Sequence, residues 1–270
     1  MRFEDIKARG LVMLGCGKMG QAMLEGWLAG GLPPASVWVI DPHPSDWLLA
    51  QGMQVNAGLP DDPAVAIIAV KPQFMDAALP QLKPVGGGGT LIVSVAAGTP
   101  IATFESVLGQ GSRVIRAMPN TPAAIGKGIT AIIGNEASGP GDMDLAEALL
   151  SAVGQVVRLQ SEDQIDAVTG VSGSGPAYVF YMIDALAGAA RAEGLPDALA
   201  MQLARATVAG AGALAEAGDE TPEQLRINVT SPNGTTQAGL EVLMDAHTGL
   251  APLMRATVAA ATARSRALKG

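Results

Sequence analysis

The chain has one cysteine, Cys16, and two histidines, His43 and His247, in 270 residues. One cysteine excludes an internal disulfide, and these three side chains cannot furnish the roughly four Cys/His ligands of a structural zinc site. Aromatic residues make up only 3%, so most of the apolar content is aliphatic, and the abundant Ala points to closely packed helices. Basic residues are outnumbered, 17 against 25, for a net charge of −8. With no basic stripe, that balance disfavours nucleic acid and anionic membrane surfaces as partners. No uninterrupted apolar run reaches the ~18–20 residues of a membrane helix, and the N-terminal "MRFEDIKARG" lacks a signal-peptide core. These absences lead us to expect a soluble, cytoplasmic protein with one large domain or two of ordinary size. Hydrophobic residues at 49% against 16% charged allow a sizeable core and do not suit disorder.

From Leu11 to about Arg158, short apolar runs alternate with helical periods. "LVML" (11–14), "VWVI" (37–40), "AVAIIAV" (64–70), "TLIVSV" (90–95), "RVIRAM" (113–118), "TAIIG" (130–134) and "QVVRL" (155–159) predict strands. Runs apolar on both faces suit a mostly parallel sheet covered by helices. "GQAMLEGWLAGG", "QFMDAALPQL" and "GDMDLAEALLSAV" supply helical composition between them. The alternation predicts a doubly wound α/β domain of the Rossmann type over residues 1–162.

The first strand runs into "GCGKMG" (15–20) and then a helix. This is G-x-G-x-x-G in the context that gives it meaning. Gly15 would make the tight turn, Gly17 would let backbone approach a pyrophosphate, and Gly20 would let helix and strand pack closely. The helix start, with Lys18 and Met19, offers free N–H groups to phosphates. Asp41, 21 residues after Gly20 and at the end of the second strand, stands where an acid holds the adenosine ribose 2′-hydroxyl. A carboxylate there repels a 2′-phosphate, which favours NADH over NADPH. His43 can offset part of that repulsion, and a strand-end turn aspartate is the plainer alternative. "VKPQ", with Val70, Lys71 and Pro72, and "SVAAG", with Ala97, follow later strands at the edge where open α/β sheets bind ligands.

After about residue 162 the strand signal ends, and 163–270 reads as an all-α domain. "GPAYVFYMIDALAGAARAEG" (175–194) and "PDALAMQLARATVAGAGALAEAG" (196–218) predict two long helices, the first about 28 Å long. A helix apolar all round must be covered, and in some 108 residues the plausible cover is a second subunit, hence a homodimer. Pro222 begins a short helix, and "VTSPNGTTQAGLEVL" (229–243) then interrupts the helical pattern with turn-forming and hydroxyl residues. This stretch is either a simple connector or a set of N–H and hydroxyl donors placed at a helix start to hold an anion.

The stretch from Pro222 to Asp245, "PEQLRINVTSPNGTTQAGLEVLMD", resembles the signature region of pyrroline-5-carboxylate reductases. "GCGKMG", "AVKPQ", "SVAAG", "RAMPNTP" (116–122) and "GVSGSGPAYVF" (170–180) are similar to that family's other blocks in the same order. The resemblance implies hydride transfer from NADH or NADPH to the C=N bond of 1-pyrroline-5-carboxylate, giving L-proline. It implies that Ser231, Gly234, Thr235 and Thr236 hold the substrate carboxylate, that the Thr236 hydroxyl faces the imine nitrogen as the catalytic residue, and that Glu162 lies near that nitrogen. It also implies cofactor contacts from Asn56, Val70, Lys71, Ala97 and Asn228, and dimers that assemble further. "RAMPNTP" is placed as rigid structural support. "NG" stands where Gly-Gly is frequent in the family, and Asn tolerates the left-handed conformation. A related hydroxy-acid dehydrogenase would use a Lys base in the helical half, yet the only Lys beyond residue 162 is Lys269. A non-catalytic NAD(P)H sensor would need the glycine-rich turn but not the 229–236 loop.

Overall fold

Strands apolar on both faces need cover on both sides, and the chain supplies it. The computed structural model describes residues 4–268; Met1 to Phe3, Lys269 and Gly270 lie outside the described residues. Within them, eight strands form one sheet: β1 (Leu11–Leu14), β2 (Val37–Ile40), β3 (Gln54–Val55), β4 (Val65–Ile68), β5 (Leu91–Ser94), β6 (Arg113–Met118), β7 (Gly128–Gly134) and β8 (Gly154–Arg158). Their order is β3-β2-β1-β4-β5-β6-β7-β8. All pairings are parallel except β6 with β7. The helices are α1 (Glu4–Arg9), α2 (Lys18–Ala29), α3 (Asp46–Leu49), α4 (Met75–Ala78), α5 (Ile101–Leu108), α6 (Pro140–Leu150), α7 (Gln164–Val168), α8 (Gly175–Ala192), α9 (Asp197–Ala217), α10 (Pro222–Asn228), α11 (Thr235–Leu243) and α12 (Leu250–Ala267).

Every residue of β1, β4 and β5 is buried. Alternation along the strand sends successive side chains to opposite faces. Leu11, Met13, Val65, Ile67, Leu91 and Val93 join one core with Met23, Leu24 and Trp27 of α2 and Leu149 and Leu150 of α6. Val12, Leu14, Ala66, Ile68 and Ile92 join the other with Met75, Leu79, Leu82 and Phe104. The expected "QFMDAALPQL" helix shrinks to the single turn of α4 and continues as a 3₁₀ segment, Leu79–Val85. Pro80 and Pro84 explain this, because proline lacks the N–H that α-helical bonding uses. No sequence pattern described above announces β3, α1, α3, α5, α7 or α12.

Among the described residues, 4–173 joined by 262–268 form one compact unit; Ser174–Ala261 form a second. The return of the chain to the first unit has a polar anchor. Ser265 Oγ donates to Asp166 Oδ1 at 2.9 Å, with both residues buried. In the second unit α8 packs against α9, yet Phe180 and Tyr181 of α8 and Leu214 of α9 remain exposed in the single chain. By length and composition alone α9, 21 residues long, is long and apolar enough to cross a membrane, a test that core helices also pass. A scan for uninterrupted apolar runs misses it because Gln202 and Arg205 break the run.

The indole of Trp27 is fully buried and its Nε1 donates to the Leu149 carbonyl at 2.7 Å, which satisfies one of the carbonyls left open at the end of α6. Trp27→Phe keeps the apolar bulk and orphans that carbonyl, so it should cost about 1–3 kcal/mol. Trp27→Ala should cost about 3–5 kcal/mol through the cavity it leaves. Urea unfolding at matched protein concentration checks both.

Candidate active site

The glycine-rich turn is shaped by what surrounds it. Gly15 has φ +81°, and a Cβ there would lie 2.7 Å from Val70 Cγ1 and 3.1 Å from the Ala69 carbonyl oxygen. A side chain at this position is excluded by conformation and by space. A Cβ at Gly20 would meet the Gly15 carbonyl oxygen at 3.1 Å and Met13 Sδ at 3.5 Å, so α2 starts hard against β1. Gly17 is different: a Cβ there meets no protein atom within 4 Å. It is the N-cap of α2, and no side chain caps that helix. The first-turn N–H groups of Lys18, Met19 and Gly20 thus carry the helix's partial positive charge to an exposed edge. A diphosphate fits this cradle, in which a glycine is required by nothing in the protein itself.

Asp41 follows β2 directly. Its Oδ2 accepts from the Cys16 N–H at 2.7 Å and its Oδ1 from the His43 N–H at 2.8 Å. The second bond makes the Asx turn expected of "DPHP"; the first ties the acid to the glycine-rich turn. Asn56, just after β3, has φ +53° and bonds to the main chain of Asp41 in both directions. Its Oδ1 accepts from Asp41 N–H at 3.0 Å and its Nδ2 donates to the Asp41 carbonyl at 2.8 Å. Val70, exposed Lys71 and Pro72 follow β4, with Pro72 opening a 3₁₀ turn; Ala97 is exposed after β5. All of these lie in the first unit.

Glu162 also belongs to the first unit. Its Oε1 accepts from Arg116 at 2.6 Å and from the Ile101 N–H, at the start of α5, at 2.9 Å. Arg116 is only 2% exposed. The ion pair joins residues 46 apart in sequence and carries no local signal; it adds a buried charge to the structural support expected of "RAMPNTP". Cys16 is buried as well, and burial, with the Asp41 and Glu25 charges next, pushes its thiol up to about 12.

The second unit holds the other group of candidates. Asn228 ends α10, its side chain accepting from Gln224 and donating to Glu220, each at 2.8 Å. Asn233 adopts φ +60°, the left-handed conformation that "NG" allows. Its N–H donates to Gln237 Oε1 at 2.7 Å, and the Gly234 N–H donates to the Ser231 carbonyl at 3.0 Å. Gly234 is the N-cap of α11, again with no side-chain cap. Thr235 and Thr236 are therefore the first helical residues, and with Ser231 they are exposed. The loop presents three hydroxyls and an open helix N-terminus together, a donor set for a carboxylate.

Two outcomes follow from these surroundings. Glu162→Ala strands a buried guanidinium, so stability should fall by about 3–5 kcal/mol, and pairing it with Arg116→Met should restore most of that. Thermal melting of the three variants checks this. The Cys16 thiol stays protonated well into alkali, so folded protein should resist alkylation at pH 9, where an ordinary thiol is largely thiolate. Mass spectrometry after iodoacetamide, with unfolded chain as the reactive control, reads the difference.

Comparison with known proteins covers both units. A family model described as pyrroline-5-carboxylate reductase dimerisation matches residues 162–268, and one described as NADP oxidoreductase, coenzyme F420-dependent, matches 11–98. The chain is 38% identical over 264 residues to a pyrroline-5-carboxylate reductase of Pseudomonas aeruginosa, covering 96% of each. It is 41% identical over 242 residues to one of Synechocystis, covering 86% of this chain and 89% of that one. Among solved structures, a pyrroline-5-carboxylate reductase of Coxiella burnetii superposes with a TM-score of 0.91 at 33% identity, over 97% of this chain and 99% of that one. The Plasmodium falciparum pyrroline carboxylate reductase with NADP bound gives 0.82 at 25% identity, over 98% and 99%. With whole-length identity of this order, which takes in both the glycine-rich turn and the 229–236 loop, the chain belongs to the pyrroline-5-carboxylate reductase family.

Proposed function

We propose that this chain is the reductase its family describes. It is an NAD(P)H-dependent oxidoreductase that adds hydride to the C=N bond of 1-pyrroline-5-carboxylate and forms L-proline, the last step of proline biosynthesis. One observation carries the reading: the likeness to relatives of that name runs through the cofactor turn and the carboxylate loop in a single alignment of 264 residues.

Reduced nicotinamide, when bound, supplies the hydride. Residues 1–162 bind that cofactor, with the diphosphate on the Gly17 cradle, and residues 163–270 bind substrate. Ser231, Thr235, Thr236 and the first-turn N–H groups of α11, freed by the Gly234 bend, take the substrate carboxylate. A hydroxyl has no pKa near neutrality and is a poor general acid. Thr236 accordingly orients the imine nitrogen and relays a proton to it from water, while the main gain comes from holding the reacting atoms in line. Glu162 stabilises the protonated imine. Its Oε1 is engaged by Arg116 and Ile101, and its Oε2 makes no hydrogen bond among the described residues.

Asp41 favours NADH, because a 2′-phosphate would be driven against a carboxylate that two main-chain N–H groups already fix. The enzyme forms a homodimer, a reading the dimerisation model over 162–268 and the exposed apolar side chains of α8 and α9 support. The same proposal extends to a cytoplasmic enzyme and to an oligomer of dimers.

Loss of reduced-nicotinamide absorbance on adding 1-pyrroline-5-carboxylate, run with NADH and NADPH in parallel, tests the reaction. No turnover with either would overturn it. Thr236→Ala should lower kcat on the order of 10²-fold, the scale for removing one positioned donor, with cofactor affinity unchanged. Undiminished turnover would remove Thr236 from the mechanism.

A further inference from the structure

The side chain of Asn56 does not point at a distant partner; it closes on the main chain of Asp41. β3 has two residues, and its register with β2, Val39 opposite Val55, sets Asn56 opposite Ile40, one residue short of Asp41 and within reach of its main chain. The Asn56 N–H extends the ladder by one bond to the Val39 carbonyl at 2.8 Å. The left-handed φ of +53° then turns the side chain back, and its amide takes both the N–H and the carbonyl of Asp41. Within two residues of sheet end, the Asp41 backbone is thus held from one side by Asn56. Its carboxylate is held from the other by Cys16 N–H and His43 N–H.

We propose that Asn56 is a positioning residue for cofactor discrimination: by clamping the Asp41 main chain it denies the carboxylate the freedom to swing away from a 2′-phosphate. A charged group discriminates only as far as it is forced to stay where the wrong ligand must go. An acid on a free strand end relaxes and accommodates. Asp41 has neither a free main chain nor a free carboxylate, and four hydrogen bonds, two of them from Asn56, account for that. The inference rests on the assignment of Asp41 to the ribose end of the cofactor. It differs from a direct contact of Asn56 with the cofactor, because the effect passes through the carboxylate of another residue.

A thermodynamic cycle separates these possibilities. Dissociation constants for NADH and for NADPH are measured by fluorescence titration of the full chain as wild type, Asp41→Ala, Asn56→Gly and the double variant. Glycine accepts the positive φ at position 56 without strain, so the β3 turn is kept and only the amide is lost; unchanged melting of Asn56→Gly verifies this. The ratio of NADPH to NADH dissociation constants should fall about tenfold in Asp41→Ala and about threefold in Asn56→Gly, by tighter NADPH binding. In the Asp41→Ala background, Asn56→Gly should leave the ratio within about twofold, since coupled residues are not additive. If Asn56→Gly weakens both cofactors equally, or shifts the ratio by the same factor in both backgrounds, Asn56 acts by direct contact or by structure alone and the proposal falls. If Asp41→Ala leaves the ratio unchanged, the assignment of Asp41 falls first and the proposal with it.

Discussion

At Gly15 the turn after β1 has no room for a side chain, and the geometry of the glycine-rich turn depends on that restriction. Gly15 lies against Val70 and Ala69, and Gly20 against Gly15 and Met13, so α2 begins within contact distance of two strands. Only a helix that starts so close can aim its first-turn N–H groups along the sheet edge. The same closeness brings the Cys16 N–H to the end of β2, where Asp41 accepts from it. A methyl group at Gly15 would press on Ala69 and Val70, just after β4, and separate the glycine-rich turn from Asp41. Core packing and cofactor geometry are one constraint here, since Met13, Leu24 and Trp27 belong to the same cluster.

The parts of this fold that were legible in sequence are those where burial writes a local pattern. "LVML", "VWVI" and "RVIRAM" coincide with β1, β2 and β6 to the residue, because a strand covered on both faces is largely apolar, with Arg113 and Arg116 as the exceptions in β6. The helix starts at Gly175, Asp197 and Pro222 lie within a residue of expectation for the same kind of reason, each being preceded or opened by a proline or a turn. β3 was invisible: two residues cannot show a period, and Gln54–Val55 is a strand only because β2 offers it an edge. Yet that edge is what delivers Asn56 to Asp41. The positive φ of Asn233 was foreseeable from Asn-Gly chemistry, whereas the Arg116–Glu162 pair was not, since no local rule relates residues 46 apart.

That pair shows how a stability element and a candidate catalytic group share one side chain. A guanidinium taken out of water needs a counter-charge, and desolvation makes a broken pair costlier than an absent one. Glu162 provides it and also receives the Ile101 N–H at the start of α5, a helix of eight residues. Two donors on one oxygen fix the carboxylate without consuming it. The consequence for interpretation is direct: a Glu162 variant that loses turnover has lost a structural ion pair as well, and only the compensated variant with Arg116→Met isolates the chemistry.

A chain of net charge −8 that takes an anionic cofactor and an anionic substrate has to create positive potential locally. It has few cations for the purpose, with Lys18 and Lys71 at the cofactor edge and no Lys anywhere in residues 163–268. Two candidate anion sites share one device instead: a glycine N-cap without a side-chain cap, at Gly17 for α2 and at Gly234 for α11. Any Ser, Thr or Asp at those caps would stabilise its helix and occupy the N–H groups a ligand needs. Glycine leaves them free at a cost of only a few tenths of a kcal/mol relative to a capping side chain. Backbone donors also hold their direction without the entropy loss of ordering a lysine, which suits a substrate offering one carboxylate and one C=N bond. The acidity of the protein and its choice of capping residue are therefore compatible: the bulk charge repels anions in general, and the proposed sites at two helix ends offer local positive potential.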